Sequence, residues 1–279
     1  MKRLFSSISA LLLGLSLLAQ GNVSTRSYRY SDFTDKVTKV VLSGDDLLSG
    51  ALKQEVSNQW TASAFEFCSP EEFERLKTQD RYYFLLLEEV RFKGEETPGI
   101  QFLSLVKGGG EGKSGTAGMD EVIALPAAAV PGGSGRELVY LGALVRAVQE
   151  FTLAAMESEK TAYSKSSWFN GNYGKYGKMM QLYIAQEDLS GTQGAAAWMD
   201  EDMHFVPADE ADRHFLDGDY NTLVSYVVAP VVPGKGSYCY KMLFEAESQQ
   251  LFYIARHKIT ARNGAGFLPG DLKKLARKR

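Results

Sequence analysis

Gly112-Lys113-Ser114 is the tripeptide that closes a phosphate-binding loop, and a β-rich run precedes it. Such a loop needs glycine five positions before Gly112, where this chain has Lys107, and Ser114 is followed by Gly-Thr-Ala-Gly instead of a helix whose first amides could hold phosphate. Lys107 to Gly118 therefore reads as a flexible, glycine-dense linker. The histidines, His204, His214 and His257, match no metal-binding spacing such as HExxH. His204 and His214 flank a predicted helix near Asp200, Glu201, Asp202, Asp209 and Asp212, a grouping that reads as a solvated acidic surface. Asp217-Gly-Asp219 lacks the ordered oxygen ligands and closing glutamate of a calcium loop and reads as a turn. No metal or other cofactor is expected. No Gly-x-Ser-x-Gly elbow is present, and Cys68 has no positive charge within five residues to activate it. Paired carboxylates for glycoside hydrolysis need only meet in space, so sequence singles out none.

The segment Tyr163 to Lys178 interleaves Trp168, Phe169, Tyr173 and Tyr176 with Gly, Asn, Ser and Lys. Rings supply stacking area and small polar residues supply hydrogen bonds, the composition of an adaptable contact surface for a glycan or a protein partner. The competing reading is an ordered connection whose rings pack over a helix.

The elements that position these residues follow from apolar spacing. Lys39 to Leu47 is a short apolar run ending in acids suited to cap a helix, which continues to about Trp60. Ala64 to Cys68 alternates as a strand, and Ser69-Pro70-Glu71-Glu72 opens a second helix with proline at its first position and acids in its first turn. Arg81 to Phe92 and Gly99 to Lys107 are two further strands, so the first unit reads β-α-β-α-β-β. Gln181 to Leu189 mirrors Val40 to Leu47. Phe205 to Arg213 mirrors Phe67 to Arg75, and the ungapped match pairs Phe67/Phe205, Glu72/Glu210, Arg75/Arg213, Tyr82/Tyr220 and Leu85/Leu223. Ser237 to Glu245 and Gln250 to Ile259 continue the second unit as strands. Met119 to Ala128 reads as a strand between the units. Arg136 to about Lys160 is the longest helix, with Leu138, Leu141, Leu144, Val145, Val148, Phe151 and Ala155 on a buried face. The expected fold is α/β: two similar units braced by one long amphipathic helix. Its divisions are a signal peptide over 1–21, unit one over 22–107, a linker, strand, helix and aromatic loop over 108–178, unit two over 179–262, and a basic tail over 263–279.

The element order from Val37 to Lys107, and again from Met179 to Ile259, resembles small α/β domains of Gram-negative envelope proteins. The nearest patterns are the N-terminal domain of the Tol-Pal β-propeller protein and the periplasmic domain of the curli secretion channel. The long helix has no counterpart there. The resemblance implies a non-catalytic docking module.

Met1-Lys2-Arg3 followed by an apolar run from Ile8 to Ala19 and the small-residue pattern Ala19-Gln20-Gly21 reads as a cleavable secretory signal, cut after Ala19 or Gly21, with no cysteine nearby to carry lipid. The run is about 12 residues, short of the roughly 20 that span a bilayer, and no other segment is read as near that length, since stretches such as Tyr82 to Leu87 and Leu223 to Val232 are strand-sized; no transmembrane segment is expected in the mature chain. Removing Lys2 and Arg3 from the 31 basic residues leaves 29 against 34 acidic ones, a net charge of −5 that argues against nucleic-acid binding. The tail Lys273, Lys274, Arg277, Lys278 and Arg279 reads as a solvated charge run. An oxidising compartment permits a Cys68–Cys239 disulfide, while each cysteine also suits a buried apolar site. These features point to an exported, periplasmic or extracellular binding module whose partner is an envelope protein or glycan. The alternatives are a secreted hydrolase with a carboxylate or histidine site between the units, and a carbohydrate-binding protein using the aromatic loop.

Overall fold

Alternating apolar runs and capped helices build two five-stranded sheets in the computed structural model of the chain, which describes residues 25–276 apart from Asp45, 111–112 and 192–201. The predicted signal segment, Asp200, Glu201 and the end of the basic tail lie outside the described residues. A short helix α1 (Arg26–Tyr30) leads into β1 (Val37–Val41), α2 (Leu47–Gln59), β2 (Ala64–Cys68), α3 (Pro70–Leu76), β3 (Tyr82–Val90), β4 (Ile100–Lys107) and β5 (Asp120–Ala129). Asp46 and Ser69 cap α2 and α3 through their side chains, and Pro70 occupies the first turn of α3, as their residue types require. The long helix α4 (Arg136–Glu157) is followed by α5 (Glu159–Ser164), a 3-10 turn (Lys165–Phe169) and α6 (Asn170–Lys175). Then come β6 (Gln181–Ala185), β7 (Met203–Val206), α7 (Ala208–Asp217), β8 (Thr222–Val228), β9 (Tyr238–Glu245), β10 (Leu251–Lys258) and α8 (Pro269–Leu275).

The first sheet has the order β2-β1-β3-β4-β5 and the second β7-β6-β8-β9-β10, the same path through space. In each, three parallel strands are extended by two antiparallel ones. The fold is α/β, and the shared order fits a duplicated unit. Two expectations are corrected. The strand expected between the units, β5, pairs with β4 and belongs to the first sheet, so each unit carries three strands after its second helix. The residue match also slips. Phe67, Val40 and Leu85 share one row of the first sheet, whereas Phe205 pairs with Ile184 and Leu223 with Leu182, two residues earlier along the strand. Helix α7 has 10 residues against 7 in α3, which displaces the register.

Helix α4 lies between the sheets. Leu141, Leu144, Val145, Val148 and Phe151 are fully buried, each worth about 1.5–3 kcal/mol of apolar burial, while Leu138 in the first turn is exposed. The helix is long and apolar enough to cross a membrane by length and composition, but 61% of its most apolar stretch is buried inside the fold, so its hydropathy is that of a core helix. Its Tyr140 ring stacks on Tyr226 of β8 with centroids 4.5 Å apart and faces Phe244 of β9 at 5.3 Å. Tyr226 in turn donates to the carbonyl of Ala127 on β5 at 2.6 Å, joining the two sheets directly.

The turns after β3 and β8 interlock. A Cβ on Gly94 would lie 3.2 Å from the carbonyl oxygen of Lys235, and one on Gly236 would lie 2.6 Å from that of Lys93. Lys93-Gly94 and Lys235-Gly236 thus contact each other reciprocally.

Candidate functional site

Where the two sheets meet, a pocket of about 430 Å³ opens, lined from the first sheet, the second sheet and the 3-10 turn Lys165–Phe169. Strand alternation supplies its walls. Phe92 follows the end of β3 and Phe102 sits on β4, their rings 6.2 Å apart; Tyr240 of β9 meets Phe102 edge-on at 5.4 Å, and Tyr238 lies 5.0 Å from Phe92. Ile123 of β5 and Ile254 of β10 complete the apolar lining.

Four charged residues line it: Glu88, Glu121, Lys165 and Arg256. Lys165 Nζ lies 3.0 Å from Glu121 Oε1. Glu88 accepts from the Thr116 hydroxyl at 2.6 Å. The Arg256 guanidinium lies over the Tyr238 ring, 5.1 Å from its centroid, and donates to the Tyr240 hydroxyl at 3.2 Å. Burial pushes the Tyr240 phenol above its ordinary range against the opposing pull of Arg256, and the bond to Tyr240 raises Arg256. The concavity thus combines aromatic walls with one ion pair, one further carboxylate and one guanidinium.

The residues singled out from sequence fall elsewhere. Phe169 is fully buried, 6.2 Å from Phe151 of α4, and Trp168 is half-buried against the same ring at 6.0 Å. Tyr173 is buried and donates to the carbonyl of Leu275; Tyr176 is exposed. Asn170 bonds both the N–H (2.7 Å) and the carbonyl (3.1 Å) of Ile254, and Asn172 donates to the carbonyl of Leu251. The Asn-rich aromatic segment thus covers the outer edge of β10, an edge that would otherwise offer unpaired backbone groups. The exposed pair of rings expected of a sugar platform is not formed by Trp168 and Tyr173. Only the start of the segment, Lys165 to Ser167, reaches the pocket.

Cys68 and Cys239 are free and buried, on strands of different sheets, which corrects the disulfide. Burial raises both thiols to about 11, and the Cys239 sulfur accepts from the Gly266 N–H, so each serves packing. The glycine-dense loop is a connection within one sheet, pinned by the Lys77 ammonium on the carbonyls of Lys113 and Gly115 and by Glu74 on the Gly115 N–H. A Cβ at Gly108 would lie 2.2 Å from the Gln79 carbonyl oxygen, so glycine there answers to close backbone approach. The segment 263–279 holds more than a basic tail. Within it α8 buries Leu272 and Leu275 against the second sheet, and Asp271 pairs with the fully buried Lys241 at 2.5 Å; Lys273 and Lys274 stay exposed.

The histidine–carboxylate grouping separates. His204 and His214 both rest on the Tyr183 ring, with centroids 4.7 and 3.9 Å away, and His214 bonds Asp219. Asp209 is solvated, but Asp212 turns inward to Arg136 at the start of α4. No group of three or more metal-ligating side chains occurs among the described residues. Arg136 bridges Asp212 (2.8 Å) and Asp188 (2.9 Å); Tyr140 donates to Asp212 and Ser225 to Asp188. Burial lifts the Asp188 carboxyl while Arg136 opposes it. Three of the four carboxylate oxygens meet Arg136 or Tyr140 and hold α4 on the second unit, while Asp188 Oδ2 accepts from Ser225 within that unit.

Sequence reading missed Glu88, Tyr240 and Arg256 as a group. Their one local signal is charge closing an apolar strand, Glu88 after Tyr82 to Leu87 and Arg256 after Leu251 to Ala255. Comparison with protein-family models, curated proteins and solved structures finds no match to this chain.

Proposed function

We propose that the protein is an exported, non-catalytic binding module of the cell envelope or extracellular space, and that the pocket between its two sheets is where it engages a partner, an envelope protein or glycan. The observation that carries this reading is the pocket's lining: both sheets contribute rings and charges to one concavity. The signal-like N-terminus and the resemblance to envelope docking domains support it. The hydrolase alternative requires a pair of acids free to exchange protons at one site, whereas the pocket has one acid without a cationic partner among the described residues, Glu88; Glu121 is paired with Lys165, and Asp188 and Asp212 are held by Arg136.

Fragment screening by thermal shift tests the reading. Ligands are expected to stabilise the wild type and not Ser167→Trp, which narrows the pocket from an exposed position of its lining. Hits indifferent to that substitution, or no hits at millimolar concentration, would overturn it. N-terminal sequencing of secreted material should give a chain starting at Gln20 or Asn22.

A further inference from the structure

The four charged residues of the pocket do not cancel in pairs. Glu121 and Lys165 neutralise each other. Glu88 has only the Thr116 hydroxyl, with no cationic partner among the described residues. Arg256 has only two tyrosines, one beneath its plane and one accepting a single hydrogen, with no carboxylate partner among the described residues. One residual negative charge and one residual positive charge thus line the same apolar concavity, with most of the guanidinium's five donors unused. A ligand carrying only an anion would meet Arg256 but also face Glu88, and a ligand carrying only a cation would face Arg256. A ligand carrying both charges satisfies both residues.

We propose that this pocket binds a small zwitterion with an apolar side chain, a free α-amino acid or a dipeptide. Its ammonium sits at Glu88, its carboxylate at Arg256 and its side chain against Phe92 and Phe102. The proposal rests on the reading of the pocket as a binding site and names its ligand chemistry. Phenylalanine-type side chains suit the lining, because edge-on ring contacts already organise Phe92, Phe102 and Tyr240.

Isothermal calorimetry on the full mature chain tests it with L-phenylalanine, phenylalanyl-phenylalanine, L-phenylalaninamide, 3-phenylpropionate and uncharged indole. L-phenylalanine or the dipeptide is expected to bind at least tenfold more tightly than either singly charged analogue. Arg256→Gln should weaken the zwitterion at least tenfold without weakening phenylalaninamide; Glu88→Gln should likewise weaken the zwitterion at least tenfold without weakening 3-phenylpropionate. Both side chains sit at least partly in solvent, and melting curves verify that the variants fold. Tighter binding of L-phenylalanine identifies a free amino acid as the source, and tighter binding of the dipeptide a peptide. Failure of both zwitterions to bind, or equal binding to wild type and both variants, overturns the proposal. Indole binding that Ser167→Trp abolishes would then leave the pocket standing as a binding site with another ligand, whereas no indole binding to the wild type would remove both readings.

Discussion

Arg136 is a cation 11% exposed between two buried carboxylates. Burying a charge is tolerated only when it is paired and hydrogen-bonded, and removing one partner strands the others. Arg136→Leu should therefore lower stability by about 3–5 kcal/mol in chemical denaturation. Adding Asp188→Asn and Asp212→Asn should restore part of that loss, because the stranded charges are then gone. Glu159 carries a second residue-scale prediction. Partial burial pushes its carboxyl up, but bonds from the Ser27 hydroxyl and the N–H groups of Ser27 and Arg26 outweigh it and hold it at about 2. The ordinary value is 4.5, so between pH 4.5 and 2 the unfolded chain binds the proton that the folded chain refuses. The stabilisation is present above pH 4.5 and lost as pH falls toward 2. In Glu159→Gln the midpoint of thermal unfolding should be lower at neutral pH and flatter across that acid range.

At the scale of elements, strands and helices were legible where one residue type does one job: Ser69-Pro70 opening α3, the alternation of β2, the apolar spacing of α4. Assignments failed where a long-range partner decides. Charge alone marked Lys273 to Arg279 as a solvated run, which the exposed Lys273 and Lys274 fit, yet Leu272 and Leu275, three apart on α8, meet a sheet face that sequence does not display. Leu272 is 2% exposed, so Leu272→Ala should cost about 2–5 kcal/mol, read from the denaturation midpoint. A solvated tail would show no change. Glycine density likewise suggested mobility between Lys107 and Gly118, because the anchoring Lys77 lies 30 residues upstream of Lys107. The pocket was least legible of all. Its charges come from β3, β5, β10 and a 3-10 turn, and each looks like an ordinary strand or surface residue until the sheets meet.

For the whole molecule, the repeated strand order was visible as element order before it was visible in space, while the two-residue slip was hidden because an ungapped match cannot register a longer helix. The two units are held by α4, by the Tyr226–Ala127 bond and by the reciprocal contact of Gly94 and Gly236. Gly236 has φ +102° and no room for a methyl group beside the Lys93 carbonyl. Gly236→Ala should destabilise the protein by more than about 1 kcal/mol. Proteolysis should then begin at the interlocked turns and not within either sheet.

If the chain is exported as proposed, helix α4 also bears on its delivery. A chain secreted unfolded must thread this 22-residue apolar stretch through a translocation channel whose side door admits sufficiently hydrophobic segments to the lipid. Inside the finished protein its apolar face meets two sheets; inside the channel it meets neither, and the acids that hold Arg136 arrive 52 and 76 residues later. Arg146 and Glu150, placed near the middle of the stretch, then decide its route, since an arginine at mid-membrane costs about 2.5–3.5 kcal/mol on insertion. Replacing both with leucine should strand part of the chain in the membrane fraction, measurable by carbonate extraction, and an unchanged soluble yield would show that the helix never competes for the bilayer.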